Sequence, residues 1–163
     1  MFGTGSNPEM MPDCIFYRVV RRPTERVVVQ LVQRAFGESS RVLVRAWDAQ
    51  QIQRLDEFLW LCDDEAFIPH GVAGDGNEGS QPVLLATGPE NLNGAHFLAS
   101  LGQCLLEPPE IRGFSKVCVI FDGRDDPQLE AARENWKRVV DEGWSANYWT
   151  DESGQWRLEH KSE

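Results

Sequence analysis

A chain of 163 residues, 41% apolar and 26% charged, is long enough to bury one core without disulfide or metal staples. Its 26 acidic against 16 basic residues leave a formal net charge of −10. That balance disfavours direct gripping of nucleic acid, which needs a surplus of Lys and Arg to displace counterions from phosphates.

Met1 to Pro12 shows no periodicity and is expected to be a flexible extension, with Met11 a second possible start. Cys14 to Val20 is a short apolar run of strand type. Pro23, Thr24 and Glu25 open a helix, since Pro and an acid both suit its first turn. Val28, Leu31, Val32 and Ala35 form its apolar stripe, and Gly37 is placed to cap it. The run Val27-Val28-Val29 leaves a strand as the competing reading there.

Residues 41–46 read as a second strand. Asp48 with Gln51 resembles a capping box ahead of a helix striped by Ile52, Leu55 and Leu59. That helix leads into an acidic break and then a Gly-rich loop carrying Phe67, Ile68 and Pro69. Large apolar side chains are unusual in a loop, so with Trp60 they either fold back onto the core or offer a surface to a partner. Strands follow at 82–87 and 96–101, then a hard-to-read stretch from Gln103 to Gly113.

Lys116 to Phe121 is the most continuous apolar run and is expected to be a central strand. Asp126 is expected to cap the next helix with Pro127 at its first position; Gly143 ends it. A last strand covers 144–150, and 151–163 reads as a polar tail. Strands alternating with helices predict one α/β domain over 13–150, three-layered, with a mostly parallel sheet. No Walker phosphate-binding sequence occurs, so no P-loop is expected.

The cysteines, Cys14, Cys62, Cys104 and Cys118, stand singly, and His70, His96 and His160 lie far apart. This argues against a zinc site and for reduced thiols; with no basic-then-apolar start and no long apolar run, a cytoplasmic protein is expected. Gly74-Asp75-Gly76-Asn77-Glu78-Gly79 fits the dinucleotide fingerprint, but it precedes a strand instead of opening a helix, and its acids would repel phosphate. No cofactor is expected. Asp122, Asp125 and Asp126 follow the central strand and could hold magnesium; turn and capping duties compete for all three. In the helix after Pro127, Leu129, Ala132, Trp136, Val139 and Val140 form the expected core stripe. Arg133 and Lys137 stand together beside it, either as an ordinary solvated flank or as a receptor for an apolar, carboxylate-bearing ligand.

The chain resembles the chi subunit family of the bacterial DNA polymerase III clamp loader over about Asp13 to Thr150. The likeness rests on Ile15-Phe16-Tyr17, Arg41-Val42-Leu43, Arg54-Leu55-Asp56 with Leu59-Trp60, and Phe67-Ile68-Pro69-His70 followed by Ala73-Gly74-Asp75-Gly76. Ala132-Arg133-Glu134 with Trp136-Lys137, and Gly143-Trp144, add to it.

The resemblance implies a Rossmann-like fold without nucleotide binding or enzymatic activity. It also implies an adaptor that links the clamp loader to single-stranded-DNA-binding protein by holding that protein's acidic C-terminal tail, so that DNA is met only indirectly. Arg133 and Lys137 would pair with tail carboxylates and Trp136 would line the pocket for its terminal apolar residue. Leu129 and Val140 stand where better-known members have further cations, which makes Arg138 a candidate substitute. Trp60, Phe67, Ile68 and Pro69 would dock a second partner, the psi subunit or a helicase. The competing function is a magnesium- or nucleotide-dependent hydrolase built on Asp122, Asp125 and Asp126.

Overall fold

The computed structural model describes residues 11–61 and 68–162. In chain order the elements are β1 (Asp13–Val19), α1 (Thr24–Gly37), β2 (Val42–Arg45), α2 (Ala49–Leu61), β3 (Gly71–Val72), β4 (Val83–Ala86), β5 (Phe97–Leu101), α3 (Pro108–Arg112), β6 (Lys116–Asp122), α4 (Asp126–Asp141), β7 (Ser145–Thr150) and β8 (Arg157–Lys161). The strands form one eight-stranded sheet in the order β3-β4-β2-β5-β6-β1-β7-β8. Every pairing is parallel except that of β8, which runs antiparallel to β7.

Strand alternation sorts the core into two layers. On β1, Ile15, Tyr17 and Val19 join the cluster under α1 and α2, while Cys14 and Phe16 join the one under α3 and α4. Val42 and Val44 against Leu43, and Cys118 and Ile120 against Val117, Val119 and Phe121, repeat the division. The three-layer α/β/α reading therefore holds, and β6 sits between β5 and β1 near the middle of the sheet.

The valine run at 27–29 is helical, and all three residues are buried with the α1–α2 layer. Burial on a broad helix face outweighs the modest preference of β-branched residues for strands. Gly37 does not cap α1; it is its last helical residue, and Ser39 takes the left-handed turn at φ 60°. At α2, Asp48 Oδ1 accepts the Gln51 N–H at 2.9 Å, and Gln51 Oε1 accepts the Trp47 N–H at 2.7 Å. The box expected from sequence thus closes one residue further upstream. The hard-to-read stretch holds α3, where Glu107 and Glu110 form a reciprocal capping box.

Residues 157–161, expected within a polar tail, form β8, and the hairpin is anchored at both ends. The buried Asp151 carboxylate accepts the Val20 N–H at 2.6 Å and pairs with Arg22 at 2.9 Å. At the far end, Ser162 N–H donates to Ala146 O and Ser162 Oγ accepts the Ala146 N–H, both at 2.7 Å.

Candidate functional site

The cap of α4 lies one residue earlier than expected. Asp125 has extended backbone and accepts the Gln128 N–H at 3.1 Å, leaving Asp126 as the first helical residue and Pro127 as the second. Asp122 Oδ1 accepts from Arg124 N–H and Nε–H at 2.9 and 3.2 Å, and the Asp122 N–H is held by Gln128. Asp122 and Asp125 are thus committed to turn and cap, and Asp126 lies exposed in the first turn. Among the described residues no group of three metal-ligating side chains converges.

The apolar stripe of α4 is also rotated. Its buried residues are Ala131, Ala132, Asn135 and Val139, whereas Val140 is 41% exposed and Leu129 and Trp136 are half-buried. A polar residue occupies the centre of the packed face because it has work there. Asn135 Oδ1 accepts the Leu106 N–H and its Nδ2–H donates to Cys104 O, each at 2.9 Å, pinning the chain ahead of α3.

Leu129, Arg133, Trp136 and Val140 consequently turn toward the neighbouring strands. Together with Ala132, Arg18 of β1, Tyr148 of β7 and residues 159–162 at β8 they line an open groove of about 850 Å³. Its floor is aromatic. Trp136 meets Phe16 and Tyr148 edge-on at 5.2 and 5.9 Å, and Tyr148 meets His160 at 5.6 Å. Burial raises the Tyr148 hydroxyl above its ordinary pKa, so it stays protonated and able to donate at neutral pH. Arg18, Arg133, His160, Lys161 and one acid, Glu159, are among the lining residues, and Arg18 is paired with Glu152 at 3.2 Å. Basic residues and aromatic rings thus meet at one groove of a chain of charge −10.

The expected basic set divides. Arg133 and Trp136 line the groove. Lys137 lies exposed one turn beyond Arg133, beside the groove's edge, and neither cation makes an ion pair among the described residues. Arg138 is on the other flank. Its guanidinium bonds Glu134 at 3.1 Å, Leu106 O at 2.9 Å and Glu107 at 3.1 Å, so it is a brace for α3 and not a groove cation. Sequence reasoning missed Arg18, Tyr148, Glu159, His160 and Lys161. The available signal was Ser153-Gly154, a turn dipeptide directly after a strand, which announces a hairpin.

The second expected surface also divides. Trp60, at the end of α2, is 56% exposed and meets the His70 ring edge-on at 5.5 Å. Pro69 is exposed, but Ile68 is 2% exposed and belongs to the core, so it cannot form part of an exposed docking face. Phe67 lies outside the described residues. His70 fixes this segment, its ring nitrogens lying 2.9 Å from Ile68 O and 2.7 Å from Asp56. The Gly-rich run that follows is a turn. Gly74 N–H donates to Glu78 at 2.8 Å, and the Gly74 and Gly76 amides hold that carboxyl below the usual range. The loop's own acid fills the amides a phosphate would need.

Comparison with known proteins places the chain in a family. Residues 11–147 match the family model described as DNA polymerase III chi subunit, HolC. The chain is 31% identical to DNA polymerase III subunit chi of Escherichia coli (strain K12) over 125 residues, covering 76% of this chain and 82% of that protein. It is 26% identical over 122 residues to the subunit chi of Haemophilus influenzae, covering 74% and 83%. Against that of Pseudomonas aeruginosa it is 29% identical over 120 residues, covering 73% and 80%. The chain belongs to the chi subunit family of DNA polymerase III.

Proposed function

We propose that this protein is a non-catalytic adaptor of the replication machinery that holds the acidic C-terminal tail of single-stranded-DNA-binding protein and so ties the clamp loader to coated DNA. The observation that carries the reading is the groove beside α4: basic residues of two strands and a helix, Arg18, His160 and Arg133, surround a floor of Trp136 and Tyr148. A peptide that ends in an apolar residue with a free carboxylate matches both features at once, the ring system taking the side chain and Arg133 the charge. Membership in the chi family supports an accessory replication role. Two of the three carboxylates expected to serve a hydrolase, Asp122 and Asp125, are spent on the turn and cap before α4.

Exposed Trp60 and Pro69, beside His70, support docking of a second protein, the psi subunit or a helicase, at a different place on the molecule. Calorimetric titration with a peptide copying the last residues of the binding protein tests the first half. Arg133→Glu is expected to weaken binding by roughly tenfold or more, a loss of about 1.4 kcal/mol or above. Equal affinity of the two proteins would count against the reading. For the second half, Trp60→Ala is expected to reduce co-purification of purified psi while leaving the peptide titration unchanged.

A further inference from the structure

The groove is only half made by the region that matches the family. That match ends at residue 147, whereas β8 and Ser162 lie beyond it. Taken alone, the flank of α4 that carries Leu129, Arg133 and Val140 is a convex helix surface, on which an exposed ion pair is worth little. β8 supplies the facing wall. Residues 159–162 line the groove opposite α4, and the register Tyr148↔His160 puts both rings on the α4 side of the sheet.

This wall is fixed in place. Ser162 is tied to Ala146 by two bonds of 2.7 Å, and Asp151 locks the start of the hairpin to Val20 and Arg22. Between them Trp156 packs edge-on against Tyr17 at 5.2 Å, with the Arg22 guanidinium 5.4 Å from its ring. A strand whose own residues are all exposed gains little core by pairing, yet it is held at three points. The same anchoring places the His160 ring against the ligand space.

We infer that β8 is a ligand-binding wall of this groove, with His160 contacting a carboxylate of the acidic tail that Arg133 meets from the opposite side. The inference rests on the tail-binding reading above and adds which residues of this chain complete it. An imidazole N–H is a donor for a carboxylate oxygen, and enclosure between two walls strengthens the contact by excluding water. Glu159, the single acid at the rim, disfavours a carboxylate at its own end and so helps orient the peptide.

The test uses the full-length protein and a synthetic peptide copying the tail's last residues, with a free C-terminus, titrated by calorimetry. The variants are His160→Glu, a chain ending at Gly154, and Arg157→Glu, which changes charge on β8 away from the groove. The first two are expected to weaken binding roughly tenfold or more, and Arg157→Glu by less than about twofold. The point variants alter exposed residues and remain decisive if the shortened chain does not fold. If His160→Glu binds like the wild type while Arg133→Glu does not, α4 acts alone and the inference fails with the tail reading intact. If the wild type itself ignores the peptide, both fall together.

Discussion

Asn135 shows how one residue can redirect a helix. The apolar spacing of α4 places Trp136 in the core, but the side chain that reaches full burial is Asn135, because two backbone groups of the segment 104–106 need partners there. Trp136 is thereby left half-buried and available to the groove. Replacing Asn135 by Ala would strand a buried N–H and a buried C=O, and urea unfolding is expected to show a loss of about 2 kcal/mol or more. Cys118 is a second buried group with a consequence that can be measured. Burial pushes its thiol up to about 12 from 9.0, and burial does the same to Cys14. The unfolded chain releases these protons near pH 9 and the folded chain holds them, so stability is full below pH 9 and falls as pH rises toward 12. Thermal melts across that window check the direction, and neither thiol is expected to be alkylated in the native protein at neutral pH.

Among the elements, the sheet and the long helices are legible from sequence because their apolar runs match the two core layers residue by residue. β6 and α2 are examples: Val117 to Phe121 is continuous apolar sequence between two covered faces, and Ile52, Leu55 and Leu59 fall on one helix stripe. β8 is not legible in that way. All its residues are exposed, so no apolar alternation marks it, and what holds it is a carboxylate with no apolar signal of its own: Asp151 bonding the chain after β1. Asp151→Ala leaves the Arg22 guanidinium and the Val20 amide without their buried acceptor. Removal of one partner of a buried pair costs roughly 3 kcal/mol. Hydrogen exchange is expected to show the β8 amides losing protection well before those of β6, and uniform loss across the sheet would contradict the anchoring role.

At the scale of the whole molecule, charge separates two kinds of partner. A net charge of −10 repels a phosphate backbone, whereas Arg18 and Arg133 stand at a groove lined with aromatic rings. Naked single-stranded oligonucleotide is therefore expected to give no anisotropy change at about 0.15 M salt, while the same strand coated with its binding protein does; binding of equal strength to both would place the DNA contact on the protein itself. The candidate site was legible where it uses helix spacing, as in Arg133 and Trp136. It was illegible where partners come from distant strands, as with Arg18 and His160, or where a cation has a structural task, as with Arg138.

The most direct measurement follows the indole N–H signals of the tryptophans by heteronuclear NMR during titration with the acidic tail peptide. Trp136 lies in the groove, whereas Trp60 is exposed at the end of α2. The Trp136 signal is expected to shift progressively and saturate while that of Trp60 stays in place, and amidating the peptide's terminal carboxylate is expected to weaken the response. A peptide that moves Trp60 and leaves Trp136 untouched would contradict tail binding in the groove.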